Sequence, residues 1–142
     1  MSRSGYSDDF DSWAQLRWRG AVRSAIKGAR GQAFLRELRD ALDAMPEKAL
    51  IANELQVSNG SYCTLGVLGQ ARGIDMSTLD PEDTERVAKS FGIAYAMAAE
   101  IVYENDEAGE WKYRYDESEP PEARWKRMRA WVEDNITSGG DA

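Results

Sequence analysis

No histidine occurs among the 142 residues, so the commonest acid–base group near neutral pH is missing. Chemistry would then fall to carboxylates, to the one thiol or to a bound metal. Glu100 and Glu104 are spaced one helical turn apart, and Asp106 follows closely. Such a set could share a proton in carboxylate chemistry, but pairs of this kind are far more often a solvated surface, and no catalytic residue is assigned. Cys63 has no histidine to activate it and stands close to Tyr62 and Leu65, which reads as a small buried thiol. The stretch Glu104-Asn105-Asp106-Glu107-Ala108-Gly109 opens like a calcium loop. The pattern breaks at Ala108, on a ligand position, and at Tyr115, where a bidentate glutamate is needed, so it reads as an acidic turn. Gly60-Ser61 and Gly66-Val67-Leu68-Gly69 lack the Lys-Ser/Thr ending of a phosphate loop. No metal or cofactor is expected.

Charge is the stronger signal, because it is sorted. Residues 12–39 carry seven bases against one acid, residues 104–122 carry eight acids against two bases, and the chain totals −7. Arg19, Arg23, Lys27 and Arg30 would span about 80° of one helix if it ran on through Gly28. None has an acid four residues on to neutralise it. The stripe is an ordinary solvated face, or one that pairs with the acids of the C-terminal half, or a docking face for an acidic protein or a nucleic-acid backbone. In the acidic half, Trp111, Tyr113 and Tyr115 alternate with Lys112 and Arg114, which puts three rings on one face of an extended segment. An edge strand over the core is one reading. The other is a recognition strip, with Glu104, Asp106, Glu107, Glu110, Asp116 and Glu117 around the rings imitating phosphates. The net charge disfavours nonspecific contact with DNA or an anionic membrane.

The elements that must place these residues are mostly helices. Asp9 or Asp11 can cap a helix from about residue 12, with Ala14, Trp18, Ala21, Val22 and Ala25 on its inner face. Gly28 and Gly31 punctuate. Residues 32–45 repeat apolar side chains at helical spacing until Pro46 stops them, which suggests an antiparallel helical hairpin with the first helix. Asn59-Gly60 between apolar runs signals a small β-hairpin within residues 50–63, although residues 49–55 could instead extend a helix. A glycine-bearing helix over residues 64–71 closes at Gly73. Asp80-Pro81 opens a helix to Phe91, residues 93–104 form another, and Pro120-Pro121 opens a last one with Trp125, Met128, Val132 and Ile136 inward. The expected fold is mainly α: a single compact domain over residues 9–136 with five or six helices and at most a small β element. Residues 1–8 read as a loose lead and 137–142 as a fraying tail. No apolar run is long enough to span a bilayer, and a single cysteine suits a reducing compartment.

Trp18-Arg19-Gly20-Ala21-Val22, Arg30-Gly31-Gln32-Ala33-Phe34-Leu35-Arg36, Arg72-Gly73-Ile74-Asp75-Met76, Phe91-Gly92-Ile93-Ala94 and Glu104-Asn105-Asp106-Glu107 together carry a likeness over residues 3–133. The chain resembles a group of small uncharacterised proteins encoded by tailed phages and prophages. The resemblance carries no catalytic motif. What it implies is a setting: the cytoplasm of a bacterial host, and accessory proteins that bind and block host machinery, including defence complexes. The expected function is therefore non-enzymatic binding of a host or defence protein by the acidic, aromatic surface, in an anti-CRISPR-like or nucleic-acid-mimic manner. Its rivals are a nucleic-acid module using the Arg19–Arg30 stripe and a small carboxylate- or metal-dependent enzyme, which would need a deep pocket lined by Glu100, Glu104 and Asp106.

Overall fold

A computed structural model describes residues 2–7, 11–58, 60–114 and 117–137. The chain forms α1 (Ser12–Lys27), α2 (Ala29–Ala44), β1 (Gln56–Val57), β2 (Ser61–Tyr62), α3 (Thr64–Arg72), α4 (Thr84–Phe91), α5 (Tyr95–Asp106) and α6 (Pro121–Asn135). It is mainly helical, with one two-stranded antiparallel sheet. Single 3-10 turns lie at Met76–Thr78 and Glu110–Lys112. Among the described residues no helix is long and apolar enough to cross a membrane.

Asp11 caps α1, its Oδ1 accepting from the Ala14 N–H at 2.7 Å; Asp9, the other candidate cap, lies outside the described residues. Only Val22 and Ile26 of α1 are buried, with Trp18 and Ala25 against the core edge and Ala21 exposed. The helix ends at Lys27, and Gly28 alone, in extended conformation, joins it to α2. This corrects the continuous stripe: Arg30 sits in the first turn of α2, so the 80° alignment holds only for Arg19, Arg23 and Lys27. Gly31 packs so closely on α1 that a Cβ would stand 2.0 Å from the Ala25 carbonyl oxygen. The next turns of α2 drive Phe34, Leu35, Leu38 and Leu42 into the core, against α3 and α6.

The hairpin forms, pairing Gln56 with Tyr62 and Val57 with Ser61. Gly60 takes φ +85° and its N–H reaches the Val57 carbonyl at 3.0 Å, while Asn59 lies outside the described residues. α3 is buried along most of its length, opens on Cys63, whose Sγ accepts from the Gly66 N–H at 3.4 Å, and closes on left-handed Gly73. Cys63 is itself buried, as a structural thiol would be. α4 starts three residues later than the Asp80-Pro81 signal suggests. Asp80 Oδ1 closes a turn onto the Glu82 N–H at 2.9 Å, and Asp83 takes over as cap of the helix. α5 packs on α1, α3, α4 and α6 and is buried almost all round, Glu100, Asn105 and Asp106 included. α6 turns Met128 and Val132 fully inward, with Trp125 and Ile136 at the core edge.

Both ends of the described chain make tertiary contacts; of the lead read as loose, residues 2–7 are described, and residues 1 and 8 lie outside the described residues. Arg3 and Ser4 are buried, and the Arg3 carbonyl accepts from Thr84 Oγ1 at 2.5 Å. At the far end the Thr137 N–H donates to Gln32 Oε1 at 2.8 Å.

Candidate functional site

Four acids of residues 104–122, Glu104, Asp106, Glu107 and Glu119, meet partners inside the molecule, while Glu110, Glu117 and Glu122 are exposed. α5 ends facing α6, and its last carbonyls have no intrahelical partner. Arg127 Nη1 donates to the Glu104 carbonyl at 2.6 Å, and Arg124 Nε donates to the Asn105 carbonyl at 2.9 Å. Two guanidinium groups thus close the negative end of the α5 dipole. Glu119, buried, holds them in place. It accepts from Arg127 Nε at 2.7 Å and Nη2 at 2.8 Å, and its Oε1 lies 3.4 Å from Arg124 Nε. Burial alone would raise the Glu119 pKa, but these guanidinium groups hold it below its ordinary 4.5. Gly109 is needed beside them, since a Cβ there would stand 2.5 Å from both Arg127 Nε and Glu119 Oε2.

Asp106 is sealed on the other side of the same helix end. Arg3 meets it in a two-point fork, the Asn53 N–H donates to its Oδ1 at 3.0 Å, and the Asn105 amide adds a third donor at 2.8 Å. Asn105 itself joins the start of α3 to the loop at Ile51. Its Oδ1 accepts from the Thr64 N–H at 3.0 Å and hydroxyl at 2.7 Å, and its Nδ2 donates to the Ile51 carbonyl. Glu107 accepts from the Ser4 hydroxyl at 2.7 Å. Glu104 is partly buried with Arg127 Nη1 at 3.8 Å, and its pKa is raised, first by burial and then by the nearby Glu100 charge.

The acidic and aromatic surface therefore differs from its expectation. Of its residues, Asp106 is buried and paired, Glu104 and Glu107 face inward contacts, and Glu110 and Glu117 are exposed. Tyr115 and Asp116 lie outside the described residues. Residues 110–112 make a 3-10 turn rather than an extended strand, so the alternation that aligned Trp111 with Tyr113 is lost. Trp111 projects with 79% exposure beneath Lys112, whose Nζ lies 5.7 Å from its ring centroid, while Tyr113 is half-buried.

Glu100 and Glu104 are not the solvated pair the spacing suggests. Glu100 is buried; Arg19 Nη1 and Nη2 donate to its two oxygens at 2.8 and 2.9 Å, and Tyr6 Oη donates to Oε1 at 2.8 Å. Trp18 Nε1 donates in turn to Tyr6 Oη at 2.8 Å, and burial pushes the Tyr6 phenol well up. Glu100 lines a cavity of about 270 Å³ between α1, α5 and α6, and Glu104 lines a separate shallow groove. With Asp106 locked to Arg3, the three carboxylates do not converge as the enzyme reading requires. Among the described residues no group of three or more acids and cysteine is placed to hold a metal ion. Another cavity, about 580 Å³, lies between the end of α2, the hairpin and α3, away from these groups.

Also outward, apart from Trp111 and the exposed acids, is the crest of α1. The helix contains no acid. At about 100° per residue, Trp13, Leu16, Arg17, Gly20, Arg23 and Lys27 fall within an arc of about 120°, opposite Val22. Trp13 is 71% exposed and Leu16 67%. Arg17, Arg23 and Lys27 are exposed and make no ion pair among the described residues, whereas Arg19 is committed to Glu100. The two apolar residues escaped the sequence reading, which followed the inward apolar face and the basic stripe; the same wheel, read for exposed apolar residues beside the stripe, would have found them. The chain matches no family model, no curated protein and no solved structure.

Proposed function

We propose that the protein acts by binding rather than catalysis, and that it binds an acidic surface of another protein through the crest of α1. The observation that carries this reading is the exposed Trp13–Leu16 pair set among Arg17, Arg23 and Lys27 on a helix without acids. Tryptophan and arginine are the residues that dominate interface energetics: the ring supplies apolar area to bury, and unpaired cations steer the approach. A nucleic-acid backbone is the lesser fit, since phosphate contacts alone do not call for exposed Leu16 and the −7 net charge repels polyanions at range. Inhibition of a host or defence protein is the setting we propose, on the resemblance to phage and prophage proteins alone.

The test compares wild type with Trp13→Ala/Leu16→Ala, Arg23→Glu and Trp111→Ala as bait in host lysate, identifying what is retained by mass spectrometry. One acidic protein retained by wild type and Trp111→Ala, and lost from the two α1 variants, is the expected result. Loss only from Trp111→Ala would return the site to the acidic, aromatic surface. Retention of DNA that disappears between 50 and 200 mM salt would favour the nucleic-acid module.

A further inference from the structure

The flank of α1 next to that crest carries a second feature, which shares Arg23 and Lys27 with the crest but does not need the Trp13–Leu16 docking anchors. The cavity of about 270 Å³ between α1, α5 and α6 is lined by Arg19, Arg23 and Lys27 on one side and by Trp131 and Asn135 on the other. Val22 and Ile26, both buried, form apolar wall. Glu100 also lines it, but its two oxygens are taken by the Arg19 fork and by Tyr6, so its charge is already balanced. The surplus is the charge of Arg23 and Lys27, neither of which has a carboxylate partner among the described residues. On the opposite wall the Trp131 indole N–H has no acceptor among the described residues. Asn135 gives its Nδ2 to the Trp131 carbonyl at 2.8 Å.

We propose that this cavity binds a small phosphate monoester. Two unbalanced cations match the charge of about −1.5 to −2 that such a group carries at neutral pH, whereas a carboxylate would leave one cation unbalanced. The arginine fork suits phosphate oxygens, with lysine as a point charge beside it. The volume lies just under the roughly 300 Å³ at which pockets for drug-sized ligands begin, so the ester's organic part is compact and rests against Trp131.

The experiment measures the thermal midpoint and the binding isotherm of the full chain, in a buffer free of other polyvalent anions. The probes are inorganic phosphate, phenyl phosphate and benzoate, with sodium chloride at matched ionic strength as the control. Phosphate and phenyl phosphate are expected to raise the midpoint beyond the chloride control, with phenyl phosphate the tighter and benzoate about tenfold weaker or worse. Arg23→Gln and Lys27→Gln should each weaken phenyl phosphate about tenfold. Trp13→Ala/Leu16→Ala, which removes the docking anchors, should leave it unchanged. No shift beyond chloride, equal binding by the Gln variants, or benzoate binding as well as phenyl phosphate would each overturn the proposal. Failure of protein capture with phenyl phosphate binding intact would count only against the docking reading.

Discussion

Arg3 and Asp106, separated by 103 residues, meet in a buried fork: Nε to Oδ2 at 2.6 Å and Nη2 to Oδ1 at 2.8 Å, with 2% of each side chain exposed. The pair ties the start of the chain to the end of α5. Breaking it from one side leaves an uncompensated buried charge, which costs about 3–5 kcal/mol, while replacing both partners with apolar groups costs much less. Arg3→Met and Asp106→Leu are therefore expected to be strongly destabilising singly and markedly less than additive together, as read by urea unfolding.

Acid should weaken the same region. Burial by itself would raise the Asp106 pKa, but Arg3, the Asn53 N–H and the Asn105 amide hold it below its ordinary 3.8. A depressed carboxylate contributes stability that is present above its unfolded value and lost as pH falls through its folded value. Glu119 behaves alike below 4.5. The unfolding free energy of wild type should thus drop as pH falls below about 4, and Arg3→Met/Asp106→Leu should flatten that drop.

Glu104 runs the other way. Its raised pKa means that ionising it works against the folded state, so stability from this group is lost as pH rises through the folded value. Glu104→Gln is expected to leave stability at pH 7 unchanged or higher, and to show its benefit least at pH 4. A clear loss at pH 7 would show that the 3.8 Å contact with Arg127 outweighs burial and the Glu100 charge.

Arg127 offers a test of geometry against charge. It reaches two Glu119 oxygens and the Glu104 carbonyl at once, which lysine cannot copy. Arg127→Lys should cost about 1.5–3 kcal/mol despite keeping the charge, measured by chemical denaturation.

Gly66 lies inside α3, where alanine would ordinarily gain about 1 kcal/mol in helix propensity. A Cβ there would stand 1.8 Å from the Leu55 carbonyl oxygen, so backbone must move. Gly66→Ala is expected to destabilise by at least about 1–3 kcal/mol, whereas Trp111→Ala, on an open surface, should stay within about 0.5 kcal/mol.

Helix positions were legible because they rest on local rules. Gly73 and Gly92 close α3 and α4 in left-handed geometry, and the Asn59-Gly60 signal marks a real hairpin turn. The fate of the charges was not legible, because it depends on partners far along the chain. Nothing near Asp106 announces Arg3, and nothing near Glu100 announces Arg19. Acids that look like a surface in sequence become helix-end ties once α6 folds back over α5. The Asp80-Pro81 start misled for a local reason: Asp83, a second capping residue three positions on, caps the helix instead.

The single-residue joint at Gly28, with Gly31 pressed on the Ala25 carbonyl, leaves α1 no slack to pivot against α2. The helix therefore serves as a rigid ruler. Arg23 and Lys27 are graduated about 6 Å apart along it, a spacing that two long side chains can close onto one dianionic group.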